Sequence, residues 1–226
     1  MADPQAAITA RGVVVRRGGR PILDGVDLTI EHGSPFAIVG RSGSGKTTLM
    51  MAIAGLLALD AGTIRIGPSA LAERAPRARA QRIGIVFQSH ELFMNMPVLE
   101  NVMLAPPLSG ATDSRSRAER LLVDLGLDGL AQRRPHELSG GQRQRVAIAR
   151  TLALDPQVVL FDEPSASLDP QTTRELAALL AEVGTRRQVV VVSHGVAFVE
   201  QCCERAIRMS AGRVEAQGQL ADVVER

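Results

Sequence analysis

Aromatic side chains are nearly missing from this 226-residue chain, which has five phenylalanines and no tyrosine or tryptophan. A protein that holds single-stranded nucleic acid stacks bases on flat rings, so that class is poorly served here. Net charge gives no help either. At +2 the chain has no strong attraction for a nucleic-acid backbone or an anionic lipid surface, and the arginines of RGVVVRRGGR and APRARAQR read as solvated loops. The only cysteines, Cys202 and Cys203, are adjacent. Neighbours on one helix point in different directions, which argues against an ordinary disulfide or a metal pair. Two small buried or half-buried residues in a reducing compartment are expected instead. The N-terminal MADPQAAITARG lacks the basic-then-apolar pattern of a secretory leader. No apolar run approaches the ~20 residues of a membrane-spanning helix.

What is present suits a globular protein, 45% hydrophobic and 22% charged, organised as one large domain or one domain with a subdomain. Residues 8–15 and 22–30 alternate in part and are separated by RRGGRP, which predicts an antiparallel pair. Residues 35–39 (PFAIV), 83–87, 158–161 and 189–192 are continuous Val/Ile/Leu/Phe runs, as expected of strands covered on both faces; 63–66 is a further short strand. Helical patterns fall at 49–57, 98–104, 116–125, 142–154, 172–183 and 196–203. Asp169 followed by Pro170 predicts a cap and a first helical position, with Gly184 as the residue just past that helix. Strands alternating with helices give an α/β fold with a mainly parallel sheet, N-terminal antiparallel strands, and an inserted helical subdomain over 89–155. The remainder, 1–88 and 156–226, forms the core of a single domain.

The segment GRSGSGKTT follows an apolar strand and opens a helix, which is the setting a phosphate-binding loop requires. Its glycines, Gly40, Gly43 and Gly45, let backbone N–H groups turn inward around phosphate oxygens. Arg41, Ser42, Ser44 and Thr48 complete the loop. Lys46 supplies a point charge for the β- and γ-phosphates, and the Thr47 hydroxyl is a ligand for Mg²⁺. In VVLFDEP (158–164) a buried strand delivers two carboxylates at its carboxyl end, where α/β sheets place ligands. Asp162 suits a role in holding Mg²⁺, and Glu163 one in orienting or deprotonating an attacking water. Either acid alone could be a helix cap or half of an ion pair. Beside a complete phosphate loop, the pair points to nucleoside triphosphate hydrolysis.

A second glycine-headed helix start, PHELSGGQRQRVAIAR (135–150), then needs explaining, because one nucleotide needs one cradle. LSGGQ, between a phosphate loop and a DEP strand, resembles the signature of ATP-binding cassette (ABC) ATPases, and the resemblance covers essentially the whole chain. It implies a P-loop NTPase (RecA-like) core and a single cassette over 1–226. In such cassettes Leu138, Ser139, Gly140, Gly141 and Gln142 would contact the ATP of a partner subunit packed head to tail, most simply a second copy. Gln88 matches the Q-loop glutamine, which would touch Mg²⁺ and the attacking water. Asp169 matches the D-loop aspartate, where coupling between sites and helix capping both stay open. His194, ending VVVVSH, matches the switch histidine, a catalytic position. Two positions depart from the pattern: Arg17 stands where an aromatic residue usually stacks on adenine, and Gly195 follows the histidine where an acid is frequent.

The resemblance also implies ATP and Mg²⁺ as cofactors, separate transmembrane permease subunits, a solute-binding protein as an expected companion, no nucleic acid, and a peripheral place on the cytoplasmic face of the inner membrane. HELFMNMPVLENVML supplies Phe93, Met94 and Met96 either as an adaptable docking surface or as filling for the subdomain core. In wording, the chain is most similar to ATPase subunits of bacterial polar amino-acid importers. Lipoprotein-releasing and macrolide-type transporter ATPases, and cassettes acting in envelope remodelling without transport, are the alternatives. Soluble cassettes of translation or DNA repair usually add a second cassette, a coiled coil or a zinc module, none of which the sequence contains.

Overall fold

The computed structural model describes residues 8–70, 82–104, 114–166 and 168–224. The first two strands, β1 (Ile8–Arg17) and β2 (Arg20–Ile30), pair antiparallel with Ile8 opposite Ile30. With β4 (Ala61–Ile66) and β5 (Ser69–Ala70) they make a four-stranded sheet of order β2-β1-β4-β5. The four arginines of RGVVVRRGGR sit exposed on this hairpin, all in strand rather than loop. Those of APRARAQR fall outside the described residues, apart from Arg82.

Between these strands the chain lays down β3 (Phe36–Val39), buried along its whole length. It joins β6 (Ile83–Val86), β7 (Val158–Asp162), β8 (Gln188–Ser193), β9 (Arg205–Ser210) and β10 (Arg213–Gln219) in a six-stranded sheet of order β10-β9-β3-β8-β7-β6. All its pairings are parallel except β9 with β10. The continuous apolar runs are explained by period-two packing on a sheet covered twice. From β7 and β8, Val159, Phe161, Val189 and Val191 enter one core, while Val158, Leu160, Val190 and Val192 enter the other. Helix α1 (Lys46–Ile53) contributes Leu49, Met50 and Ile53 to the second core, together with the antiparallel sheet.

Between β6 and β7 the described residues hold helices and no strand. These are α2 (Val98–Met103), α3 (Ser114–Asp124), a 3₁₀ turn (Pro135–Glu137) and α4 (Gly140–Leu152). They pack against the first core together with α5 (Pro170–Gly184), which presents Leu176, Leu180 and Val183 to the sheet. After β8 come the single turn α6 (Val196–Val199) and, at the end, α7 (Leu220–Val224).

Three expectations change, the first being the helix over 49–57, which is α1 at Lys46–Ile53, opening on the loop lysine and ending four residues earlier. Gly184 is the last residue of α5 rather than the one past it, and Thr185 is the cap; an added Cβ on Gly184 would stand 2.9 Å from Pro35, so packing explains that glycine. The helix expected over 196–203 ends at Val199, which leaves the cysteines in a turn. Strands β9 and β10 carry too many charged and polar residues to show an apolar alternation.

Candidate active site

The ends of β3, β6, β7 and β8 converge on a cleft of about 1420 Å³. Its wall is formed by every residue from Gly40 to Thr48, and Gln88, Glu163 and His194 face it. The loop is tight for a local reason. Gly40 has φ 149°, and an added Cβ would lie 2.3 Å from the Met209 carbonyl oxygen, so only glycine lets the backbone pass β9 here. Lys46 is 7% exposed, and its ammonium donates to the carbonyls of Gly40 (2.8 Å) and Arg41 (3.0 Å), which pins it across the loop. Gly45 caps α1 in a left-handed conformation without any side-chain hydrogen bond to the helix start. That N-terminus keeps its backbone donors for an anion.

Asp162 ends β7 beside α1, and the Thr47 hydroxyl donates to its carboxylate at 3.3 and 3.4 Å. Burial pushes the Asp162 carboxyl above the usual aspartate range, opposed by the Thr47 hydrogen bond. A hydroxyl and a half-buried carboxylate side by side fit a hard, oxygen-seeking divalent cation. Among the described residues no group of three His, Cys, Asp or Glu could hold a metal by itself. The pair therefore suits an ion that takes its other ligands from phosphate and water.

Glu163 has a left-handed backbone, φ 47°, which costs a non-glycine residue free energy and is commonest at functional positions. Its N–H stays tied to the sheet through the Val192 carbonyl at 2.8 Å. Its carboxylate accepts from the His194 backbone N–H (3.0 and 3.2 Å), lies 2.9 Å from His194 Nδ1, and accepts from Ser193 Oγ at 3.3 Å. Ser193 is 1% exposed and takes a hydrogen bond from Gly195 N. The carboxylate is thus held from three directions and aimed into the cleft, the arrangement a general base needs. Sequence reasoning missed Ser193 and also Ile22, which lines the cleft from β2. For Ser193 the signal was available in VVVVSH; Ile22 gave none beyond strand character.

Other expected residues lie elsewhere. Arg17 is exposed at the β1–β2 hairpin and does not line the cleft, although Ile22 of the same hairpin does. Leu138, Ser139, Gly140, Gly141 and Gln142 do not line it either. Ser139 caps α4 through a reciprocal pair: its Oγ accepts from Gln142 N at 3.2 Å, and Gln142 Oε1 accepts from Ser139 N at 2.9 Å. The two glycines have different causes. A Cβ on Gly141 would meet Thr172 of α5 at 2.6 Å, whereas one on Gly140 would meet nothing nearer than 4.0 Å. Asp169 caps α5, accepting from Gln171 N and Thr172 N at 3.0 Å each, and the Thr172 hydroxyl hydrogen bond holds its carboxyl below the usual range.

A short bridge joins this region to a surface loop. From α4, Arg150 donates to the carbonyls of Glu91 (2.6 Å) and His90 (2.8 Å), just after Gln88. Burial pulls the His90 imidazole down. Fully buried Asn101 then holds the next stretch, accepting from Phe93 N (2.8 Å) and donating to the Phe93, Met96 and Pro97 carbonyls. The loop therefore keeps Phe93 and Met94 outward, 50% and 53% exposed, with Met96 half-buried. Phe93 and Met94 are not core filling.

A phosphate loop at the carboxyl end of a parallel sheet, facing a held glutamate, defines the P-loop class of nucleoside triphosphate hydrolases. Residues 23–166 match the family model described as ABC transporter. The chain is 39% identical over 225 residues to the L-cystine transport system ATP-binding protein TcyN of Escherichia coli, covering 94% of this chain and 90% of that protein. It is 40% identical over 208 residues to the methionine import ATP-binding protein MetN of Bordetella avium, covering 89% of this chain but only 58% of the relative's length. Among solved structures, the dimeric bacterial cassette MJ0796 matches with TM-score 0.83 and 33% identity, covering 94% of this chain and 98% of that one. The cbiO1 protein of Clostridium perfringens matches with TM-score 0.88 and 28% identity, covering 97% and 90%. The chain belongs to the ABC transporter family and is an ATP-binding, ATP-hydrolysing subunit of it.

Proposed function

We propose that this chain drives a separate transmembrane permease that imports a small polar solute such as an amino acid, and that two copies close on ATP to do so. The observation that carries the dimer is the split of the anion-binding parts: one copy's cleft holds the phosphate loop and Glu163, while the glycine-headed start of α4 lies outside that cleft. A second copy facing head to tail would bring its Ser139 and Gly140 to the γ-phosphate. That the cassette MJ0796 is dimeric supports a pairing of two copies. The names of the cystine and methionine relatives support the solute class.

In this scheme the backbone donors of 40–45 and the Lys46 ammonium bind and orient the β- and γ-phosphates. Bound with the nucleotide through Thr47, Asp162 and Gln88, Mg²⁺ supplies charge neutralisation for the phosphates. Glu163 accepts the proton of the attacking water. His194 lies against Glu163 and holds it in place, turning to the γ-phosphate when nucleotide fills the cleft. The nucleobase lies against the β1–β2 hairpin, with Ile22 as its apolar contact and the exposed Arg17 guanidinium, which stands outside the cleft wall, reaching over to stack on it. Loss of the γ-phosphate removes the contacts between copies, and the dimer loosens, a ligand-driven two-state switch. Asp169, capping α5 close to α4, couples the two sites.

The Arg150–Asn101 bridge carries this change to Phe93 and Met94, which dock a cytoplasmic helix of the permease. The protein then works at the cytoplasmic face of the membrane through its partners; no helix among the described residues is long and apolar enough to cross one. Purification of the tagged chain in detergent tests the reading. Retention of a polytopic membrane partner, lost in the double variant Phe93→Asp, Met94→Asp, is expected; association with ribosomes or DNA instead would overturn it.

A further inference from the structure

The hydrolytic cycle makes no use of Cys202 and Cys203, the chain's only cysteines. As neighbours on a helix they would point apart. Because α6 stops at Val199, they lie in the turn that follows, where both Cys202 N (3.2 Å) and Cys203 N (2.7 Å) donate to the Val199 carbonyl. The turn brings the two Sγ atoms to 3.8 Å. Both thiols are free and buried, 8% and 6% exposed, and both line a second cavity of about 510 Å³. His32, Pro35, Ala181 and Glu204 share its wall. The cavity lies where β3, β8 and β9 begin, at the opposite end of the sheet from the phosphate loop.

We propose that Cys202 and Cys203 form a two-sulfur binding site for a thiophilic centre that takes two thiolates from the protein, namely a trivalent arsenical bearing one organic substituent. Three observations select this class. Softness comes first, since paired thiolates prefer soft centres over hard ones. The number of ligands comes next: among the described residues no group of three metal-binding side chains exists, so a cation wanting four protein ligands is not satisfied. Spacing is the third. A direct disulfide needs the sulfurs at about 2.05 Å and Cα atoms usually at least ~4.4 Å apart, whereas adjacent residues fix their Cα atoms at about 3.8 Å. An interposed atom removes that conflict. Two bonds of about 2.3 Å, the length of a metal–thiolate bond, span roughly 3.3–3.8 Å when they open at about 90–110°.

The step is a ligand exchange without oxidation. Each As–OH bond of the hydrated arsenical is replaced by an As–S bond, each thiol proton leaves with a hydroxide as water, and arsenic stays trivalent. Within the pair, the hydrogen bond between the two sulfurs and burial push the Cys203 thiol up, and the same hydrogen bond pulls Cys202 down. Both sulfurs line the cavity, so the two As–S bonds close a ring over the turn while the organic group takes up the open space.

Phenylarsine oxide is the probe, with intact-mass spectrometry of the folded chain after a wash in excess 2-mercaptoethanol. One adduct per chain is expected, with both thiols lost to a colorimetric thiol reagent and both restored by 2,3-dimercaptopropanol. Cys202→Ser and Cys203→Ser should each lose the adduct in the monothiol wash, at least about 100-fold in retention; Cys202→Ala and Cys203→Ala give the same reading if serine disturbs the buried turn. The proposal is overturned if the folded wild type carries no adduct, or if either single-cysteine variant retains it as well as the wild type.

Discussion

At the start of α1 the helix has no side-chain cap, a left-handed glycine turns the chain, and a buried lysine is held by two loop carbonyls. At the start of α4 the glycines follow a serine that has already closed a capping box with Gln142. The first start is open and complete within one chain; the second is locally satisfied and stands apart from the cleft. Both offer an anion the positive end of a helix dipole and free N–H groups, although at the second the Gln142 N–H is already taken by Ser139. They differ in what completes them. In the proposed scheme the loop at 40–48 takes its ligand alone, and the start of α4 meets a ligand brought by another copy. Gly140, with open space around it, is the position where that difference is written.

The largest effect that would sharpen this contrast is on chemistry. Glu163→Gln keeps the shape of the side chain but removes the proton acceptor, so turnover should fall about 10²- to 10⁴-fold with nucleotide affinity preserved. A coupled phosphate-release assay checks it, and wild-type turnover would remove Glu163 from its role. Next, Lys46→Ala should weaken nucleotide binding by roughly 10- to 150-fold, the ~1.5–3 kcal/mol of hydrogen bonds from a charged group, in an equilibrium titration with a fluorescent ATP analogue. Ser139→Arg in the second start should leave that titration unchanged within about twofold while removing ATP-dependent association. If it impaired single-copy binding instead, the two starts would belong to one site.

The smallest effect is on stability. Because burial raises the Asp162 carboxyl, its ionised form is disfavoured in the folded chain. That cost is fully present above the folded value and disappears as pH falls below the ordinary aspartate value, about 3.9. Asp162→Asn should therefore raise the melting temperature of nucleotide-free protein at pH 7, with the gain shrinking toward pH 4, while magnesium-dependent hydrolysis is lost. A thermal melt series over pH checks the sign.

The sequence made the open start readable in full, since GRSGSGKTT and VVLFDEP are contiguous and their chemistry follows from residue type. The parallel sheet was equally legible, because short β-branched runs such as VVLF and VVVV between helical patterns suit strands covered twice. Less local features escaped. Ile22 reaches the cleft from a strand with ordinary alternation, and β10, RVEAQGQ, buries none of its residues, so it offered no apolar signal. Arg17 matched a family position but stands outside the cleft lining. The cysteines are buried as expected, but helix geometry was assumed for residues that lie in a turn, which hid how close their sulfurs come. Asp169 showed the reverse: its cap was visible from Asp-Pro alone.

The most direct test of the account is the mass of Glu163→Gln protein by light scattering, with and without saturating ATP and magnesium, beside the same variant carrying Ser139→Arg. The account predicts that nucleotide doubles the mass of the first and leaves the second at the mass of one chain. A first variant that stays at one chain's mass with nucleotide bound, or a second that doubles equally well, would contradict it.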